Sequence, residues 1–380
     1  MRKLLKIYLE ISEKDCIPMA EKLFELPDFR VLFISQTARV DAPYLDPSVR
    51  YRCYNPAEEF VKYNVLVDVI AQQRLTCDML DNYDAFIFHR PYGGDEKLEI
   101  FVEKIKNQNK FMMADYDDLI FAPKYALHSS IYINEVRTET QTKAIFNANY
   151  KGLCYFDHFS VSTEPLKQQI LELRPDAHVV VIPNGLSVKL LSTLDISQRK
   201  SKESVLKVIS YLSGTASHNN DFAFVASVLA EFMKNNKDYS LGVYGPLDIE
   251  DCVISPFDLI RFPHKNYREF LASIGRTHIN IAPLAPNNIF NECKSGLKFF
   301  ESGIWGIPTI ASPIADFKRF AGSSGLQLAN DENEWLQCLQ RIADPDFYND
   351  ATKNLREYCL ENCLATQPAL TLLNYLNMAQ

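Results

Sequence analysis

The 380-residue sequence lacks the marks of several common enzyme classes. No Gly-x-Gly-x-x-Gly follows its first apolar run, so the usual dinucleotide-binding turn is missing. No Gly-x-x-x-x-Gly-Lys-Ser/Thr occurs, which argues against a P-loop NTPase. Gly-x-Ser-x-Gly and His-Glu-x-x-His are absent, which lowers hydrolase and zinc-protease readings. The seven His residues are dispersed without ligand spacing. No apolar run reaches the roughly 18 residues of a spanning helix. The nine cysteines, scattered from Cys16 to Cys363, contain no Cys-x-x-Cys pair and read as buried thiols in a reducing compartment. Basic residues are outnumbered, 40 against 48, for a net charge of −8. An acidic chain without a basic patch is not expected to bind nucleic acid.

The length suits two domains. Hydrophobic residues at 47% and charged residues at 23% are the balance of a soluble globular chain. Phe at 24 and Tyr at 19 supply more aromatic surface than a solvated tail carries. Lys6 and Glu10 interrupt the opening apolar run, and no small-residue cleavage site follows. That run reads as a first buried strand of a cytoplasmic protein.

Short β-type runs then alternate with helical stretches. Strands are expected at 4–9, 29–35, 85–89, 111–114, 159–162 and 179–182, with helices such as 56–72 and 97–106. This βα alternation predicts a parallel sheet with helices on both faces. Pro183-Asn184-Gly185 is a turn signal, and the polar stretch from Ser197 to Ser204 reads as a linker. The alternation restarts with strands at 206–211, 241–244, 278–282 and 308–311. Helices are expected from Asp221, as cap, to Met233, then at 267–274, 295–304, 332–341 and 350–361. The fold class is α/β, with two doubly wound Rossmann-like domains facing a central cleft: 1–195, 196–360, and a C-terminal helix at 361–380 crossing back to the first domain.

The stretch from Phe290 to Ser312 is the most informative. Ser295 reads as a helix N-cap, with Lys294 before the helix and Lys298 one turn in. Two ammonium groups beside unpaired N–H groups suit a diphosphate. Glu301 lies three residues past Lys298, and a carboxylate there suits the two hydroxyls of a ribose. Spacing alone equally allows a surface helix with an i,i+3 Lys–Glu pair worth ~0.2–0.5 kcal/mol.

This block resembles the nucleotide-sugar site of the GT-B glycosyltransferases, specifically the retaining family 4 enzymes of bacterial polysaccharide synthesis. The similarity lies in the run Lys294-Ser-x-x-Lys298-x-x-Glu301-x-x-x-x-Gly306-x-Pro308, closing with Ile310-Ala-Ser312. Ser213 to Phe222 resembles the loop that opens the donor domain. Ile279 to Leu284 resembles the strand and loop before the diphosphate helix. Phe156 to Leu166, with Ile182 to Gly185, resembles the end of the acceptor domain. Two departures are visible. Cys293, not Glu292, stands at the family's two-glutamate spacing from Glu301. The first donor-domain loop has His218 nearby but no basic residue between Gly214 and Ser217.

The resemblance implies a catalytic set of Lys294, Lys298 and Glu301. It implies donor contacts from Gly214, Thr215, His218, Pro283, Ser295, Gly296 and Leu297. Asp115, Asp117 and Asp118 follow an apolar strand and, in this reading, contact the acceptor with Arg90. The same Asp-x-Asp also suits a divalent metal, as in GT-A enzymes, or the cap of a helix. Gly93 and Gly94 would let a substrate approach the backbone, or simply belong to an ordinary loop. The implied activity is retaining transfer of a hexose or deoxyhexose from a nucleotide-diphosphate sugar to a glycan or lipid-linked glycan, in O-antigen or capsule synthesis. No cofactor and no metal are expected. The expected location is cytoplasmic, with peripheral contact to the inner membrane face or an assembly complex. Alternatives are a non-catalytic GT-B-like subunit of such a complex and a metal-dependent transferase using Asp115 and Asp117.

Overall fold

The computed structural model describes residues 29–195, 207–213, 218–248, 253–254, 257, 259–263 and 265–378. The expected first strand and the 197–204 linker lie outside these residues, as do Gly214 and Thr215.

Two six-stranded parallel sheets form the framework. The first contains β1 (Arg30–Ser35), β2 (Leu66–Ala71), β3 (Ala85–His89), β4 (Phe111–Tyr116), β5 (His158–Val161) and β6 (His178–Val181). Its order is β2-β1-β3-β4-β5-β6. Alternate residues feed opposite faces. Leu32, Ile34, Phe86 and Phe88 enter one core, while Val31, Phe33, Ala85 and Ile87 enter the other. Both faces are therefore covered, which is why these strands read as continuous apolar runs.

The helix expected at 56–72 is corrected. It ends at Phe60, and β2 follows. Asn64 adopts φ 60°, the left-handed conformation that stops a helix. Exposed Leu66 and Asp68 then alternate with buried Val67, a strand period.

The second sheet contains β7 (Lys207–Leu212), β8 (Tyr239–Tyr244), β9 (Leu259–Phe262), β10 (Ile279–Ala282), β11 (Thr309–Ala311) and β12 (Leu326–Leu328). Its order, β12-β11-β10-β7-β8-β9, is the doubly wound dinucleotide-fold order read from the other edge. The short edge strands β9 and β12 were not expected. The single helix expected at 350–361 is two helices, Pro345–Thr352 and Leu355–Asn362, parted at Lys353 and Asn354.

The chain passes between domains at two places that touch. Leu186 pairs with Leu364 in a parallel bridge, and a Cβ on Gly185 would meet the Leu364 and Ala365 backbone at 2.6 Å. Glycine is thus required where the crossing strands lie side by side. The last helix, Thr366–Met378, places Ala369, Leu372, Leu373 and Leu376 in one core with Phe33, Val49 and Phe60. No helix among the described residues is long and apolar enough to cross a membrane.

Candidate active site

In each sheet the strand order reverses once, between β1 and β3 and between β7 and β10. Ligands of doubly wound sheets bind outside the carboxyl ends of the strands at such points. The candidate residues cluster there, on both sides of one cleft.

On the second domain, Leu284 N–H donates to Ser312 Oγ, whose hydroxyl donates back to Leu284 O. This clamp holds the loop after β10, including buried Pro283. The helix Leu297–Gly303 starts later than expected and its cap is Gly296, not Ser295. Asp316 explains the difference. Its Oδ2 accepts from Gly296 N at 2.6 Å and from Ser295 Oγ at 3.2 Å, so the cap is supplied from another helix. Leu297 is the first residue of the helix and partly buried.

The ammonium groups of Lys294 and Lys298 lie on this rim without an ion pair or hydrogen bond among the described residues. Lys298 Nζ stands 5.0 Å over the Tyr211 ring and Lys294 Nζ 5.7 Å over that of Phe290. Burial pushes the Lys298 pKa down to about 8, and Lys294 pushes the same way against Asp221 and Glu301. Two ammonium groups on one rim, neither held by a carboxylate in an ion pair among the described residues, can take an anion between them.

Beside them, His218 Nδ1 donates to Asp221 Oδ2 at 3.0 Å. Burial, with Lys294 and Lys298, drives His218 to about 3, so the imidazole is neutral. Asp221 is not the helix cap expected. The helix runs Asn219–Asn235, and His218 precedes it. Asp221 turns inward, and Oδ1 accepts from Ala285 N at 2.9 Å and Asn291 Nδ2 at 3.0 Å. Burial opposes ionisation, but His218, Lys294 and the Ala285 N–H bring its pKa to about 2.

Glu301 is 7% exposed. Its Oε1 accepts from Tyr51 Oη at 2.8 Å and Tyr267 Oη at 3.0 Å, and the two hydroxyls also touch each other. Oε2 makes no hydrogen bond among the described residues. Burial raises its pKa, opposed by the tyrosine hydroxyls, then Arg50, then Lys298. Glu292 is exposed, and Cys293 is buried in the core of the first domain.

On the first domain, β4 extends to Tyr116, so Asp115 belongs to the strand and not to the loop after it. Its carboxylate is 2% exposed and spent on Arg52, with Nη2–Oδ1 at 2.5 Å and Nε–Oδ2 at 3.0 Å, and on Ser160 Oγ at 2.6 Å. This corrects its acceptor role: Asp115 does not face the cleft. Arg52 continues to Ile182 O and Asn184, and Asn184 reaches Ser295 Oγ at 3.1 Å in the second domain.

Asp117 accepts from Arg90 Nε at 2.6 Å, His89 Nε2 at 3.2 Å and Ser48 Oγ. Although burial opposes it, Arg90 and His89 hold its pKa well below the usual carboxylate range. Arg90 sits at φ 52°, a strained conformation in a non-glycine residue. Asp118 is raised by burial, while Arg90 and, from the opposite domain, Lys294 counter it. Asp115 and Asp117 thus each face a guanidinium, and no three-residue metal-ligating group occurs among the described residues. The expectation for Gly93 also needs correction. A Cβ on Gly93 would meet Gly152 N at 2.5 Å, so Gly93 packs against a helix and leaves no room for substrate.

The structure therefore brings together Lys294, Lys298, Glu301, His218, Arg90, Asp117 and Asp118. Sequence reading missed Arg50, Tyr51, Tyr267 and Asp221 as site residues. Arg50-Tyr51-Arg52, basic residues flanking an aromatic, was the one local signal available.

No protein-family model matches the chain, and no curated protein matches its sequence. Solved structures do match it in fold. Sucrose-phosphate synthase from Thermosynechococcus elongatus superposes with TM-score 0.61 at 14% identity, over 92% of this chain and 98% of that one. Anabaena HepE in complex with UDP and glucose gives 0.60 at 11% identity, over 92% and 100%. A glycosyltransferase from Rickettsia africae gives 0.57 at 12% identity, over 93% and 98%. The chain has the GT-B fold of two Rossmann-like domains.

Proposed function

We propose that this protein is a retaining, family 4-like glycosyltransferase that moves a hexose or deoxyhexose from a nucleotide-diphosphate sugar to a hydroxyl of a glycan or lipid-linked glycan. The observation that carries the reading is the unpaired pair Lys294 and Lys298, one turn from Glu301, at the point where the second sheet reverses its strand order. Neighbours of the same fold point the same way, among them HepE in complex with UDP and glucose.

In this reading the donor diphosphate lies between the two ammonium groups and the ribose meets Glu301 Oε2. Breaking the bond from the anomeric carbon to the phosphate oxygen leaves negative charge on the departing diphosphate. Lys294 and Lys298 stand where that charge grows, and a preorganised donor of this kind contributes about 3–4 kcal/mol. The ammonium groups supply the charge a metal ion otherwise would. The acceptor oxygen forms the new bond on the face the diphosphate leaves, and its proton passes to the departing phosphate oxygen. Arg90, Asp117 and Asp118 are the acceptor-side groups. Closure of the two domains on the donor would exclude water and limit its hydrolysis. O-antigen or capsule synthesis at the inner face of the membrane is the setting we infer.

A thermal-shift series with UDP, GDP, dTDP and CMP, with Mn²⁺ or EDTA, tests this on the native chain, Lys294→Ala and Glu301→Ala. A ligand at 100 times its Kd stabilises by about 2.7 kcal/mol. We expect one diphosphate nucleotide to stabilise the native chain, without need of metal, and to lose this effect in both variants. A shift that requires Mn²⁺ and survives both variants overturns the mechanism. No shift with any nucleotide favours a non-catalytic subunit.

A further inference from the structure

The carboxylate of Glu301 is held by the opposite domain as well as by its own. Arg50 and Tyr51 begin a five-residue π-helical turn, Arg50–Tyr54, between the short helices Pro47–Val49 and Asn55–Phe60. Such wide turns recur at functional positions. Here the turn buries Arg50, Tyr51 and Arg52 together. Arg52 goes to Asp115, whereas Tyr51 crosses the cleft to Glu301.

Arg50 does neither. It is 4% exposed, and its Nε and Nη1 have no hydrogen-bond partner among the described residues. Nor does it form an ion pair among the described residues. Its guanidinium carbon stands 3.8 Å from the centroid of the Tyr267 ring and 5.3 Å from that of Tyr44. A buried, unpaired guanidinium is costly unless it compensates a nearby negative charge. The nearby negative charge is Glu301, one hydrogen bond beyond the Tyr267 hydroxyl.

We propose that Arg50 is a positioning residue for the donor site: stacked on Tyr267, it keeps Glu301 an oriented carboxylate whose Oε1 is fixed by Tyr51 and Tyr267 and whose Oε2 faces the ligand. The proposal deepens the function proposed above and rests on it for the ligand's identity. The charged and titratable groups facing Glu301 are Arg50 and Tyr51 from the first domain, Tyr267 from the helix Tyr267–Ile274, and Lys298 from its own helix. Burial drives the Glu301 carboxyl toward protonation, and Arg50 opposes this with more weight than Lys298. A protonated Glu301 loses the charge that strengthens its bonds to hydroxyl donors. Since Arg50 and Tyr51 come from the facing domain, the proton affinity of Glu301 depends on the cleft being closed.

The test is an infrared titration of the ligand-free, full-length protein. The protonated-carboxyl stretch of Glu301 is isolated by difference against Glu301→Gln. Arg50→Met is compared with the native chain, and Arg50→Gln serves as a second neutral variant should the first fail to fold. A cation beside a carboxylate shifts its pKa by about 1–3 units. We expect the Glu301 midpoint to rise by at least about one unit in the neutral variants, a roughly tenfold gain in proton affinity, with Arg50→Lys recovering most of it. A midpoint unchanged in folded Arg50→Met or Arg50→Gln overturns the proposal. Calorimetric titration with UDP, GDP and dTDP runs in parallel. If the native chain binds none of them, the functional reading fails while the midpoint still judges Arg50. If it binds one and the midpoint does not move, Arg50 fails alone.

Discussion

Tyr51 and Glu301, 250 residues apart and on opposite domains, share a 2.8 Å hydrogen bond. The Tyr51 ring also packs edge-on to Tyr267 at 6.0 Å and against Phe300 at 6.3 Å. Tyr51→Phe keeps these ring contacts and deletes only the hydroxyl. A bond to a charged group contributes about 1.5–3 kcal/mol. The variant should therefore lose stability of that order in urea denaturation, and a midpoint equal to the native one would count against an ordered contact.

In the proposed site, Lys298 makes anion binding pH-dependent. Burial holds its free-state pKa at about 8, so its charge is lost as the pH rises through that value. Calorimetry should show nucleoside diphosphate affinity falling across that range. Lys298→Arg remains charged and should carry binding to higher pH. Lys298→Met should bind about 1.5–3 kcal/mol more weakly, with no step near pH 8. The same alkaline step persisting in Lys298→Met would assign it to another group.

Asp115 and Arg52 form a buried pair, each side chain 3% exposed. Removing one partner of such a pair costs about 3–5 kcal/mol, because the other charge is stranded. Asp115→Ala and Arg52→Ala should each approach that loss in chemical denaturation. The double variant should lose clearly less than the sum, since neither charge remains. Strict additivity would mean that the two do not couple.

Asp117 governs the acid side. Its folded pKa lies below the unfolded value of about 3.9, owing to Arg90 and His89 against the opposing effect of burial. The unfolded state therefore binds its proton first as the pH falls. The stabilisation is fully present above the unfolded value and is lost as the pH falls through the folded one. Asp117→Asn should differ most from the native chain near neutrality, and the two stability curves should converge in acid. Parallel curves would remove Asp117 from the acid limb.

The framework was legible because strands buried on both faces read as apolar runs, and nine of the twelve described strands lie at expected runs. β9 and β12 escaped because they are short edge strands. β2 was hidden inside a helical expectation because only Asn64, with no Gly or Pro, marks where the preceding helical stretch stops. The placement of Lys298 and Glu301 was legible because one short helix carries both, with Lys294 just before it. Arg50, Tyr51 and Tyr267 were not, because their meeting with Glu301 depends on how two domains face each other. Asp115 was misjudged by a boundary: two more residues of β4 turn a loop carboxylate into the buried partner of Arg52.

The most direct measurement is a crystal structure of the full chain with the nucleoside diphosphate selected by thermal shift. The account predicts the diphosphate within hydrogen-bond distance of Lys294 and Lys298 Nζ, and a ribose hydroxyl on Glu301 Oε2. A nucleotide seated instead against Arg90 and Asp117, with both lysines and Glu301 untouched, would contradict it.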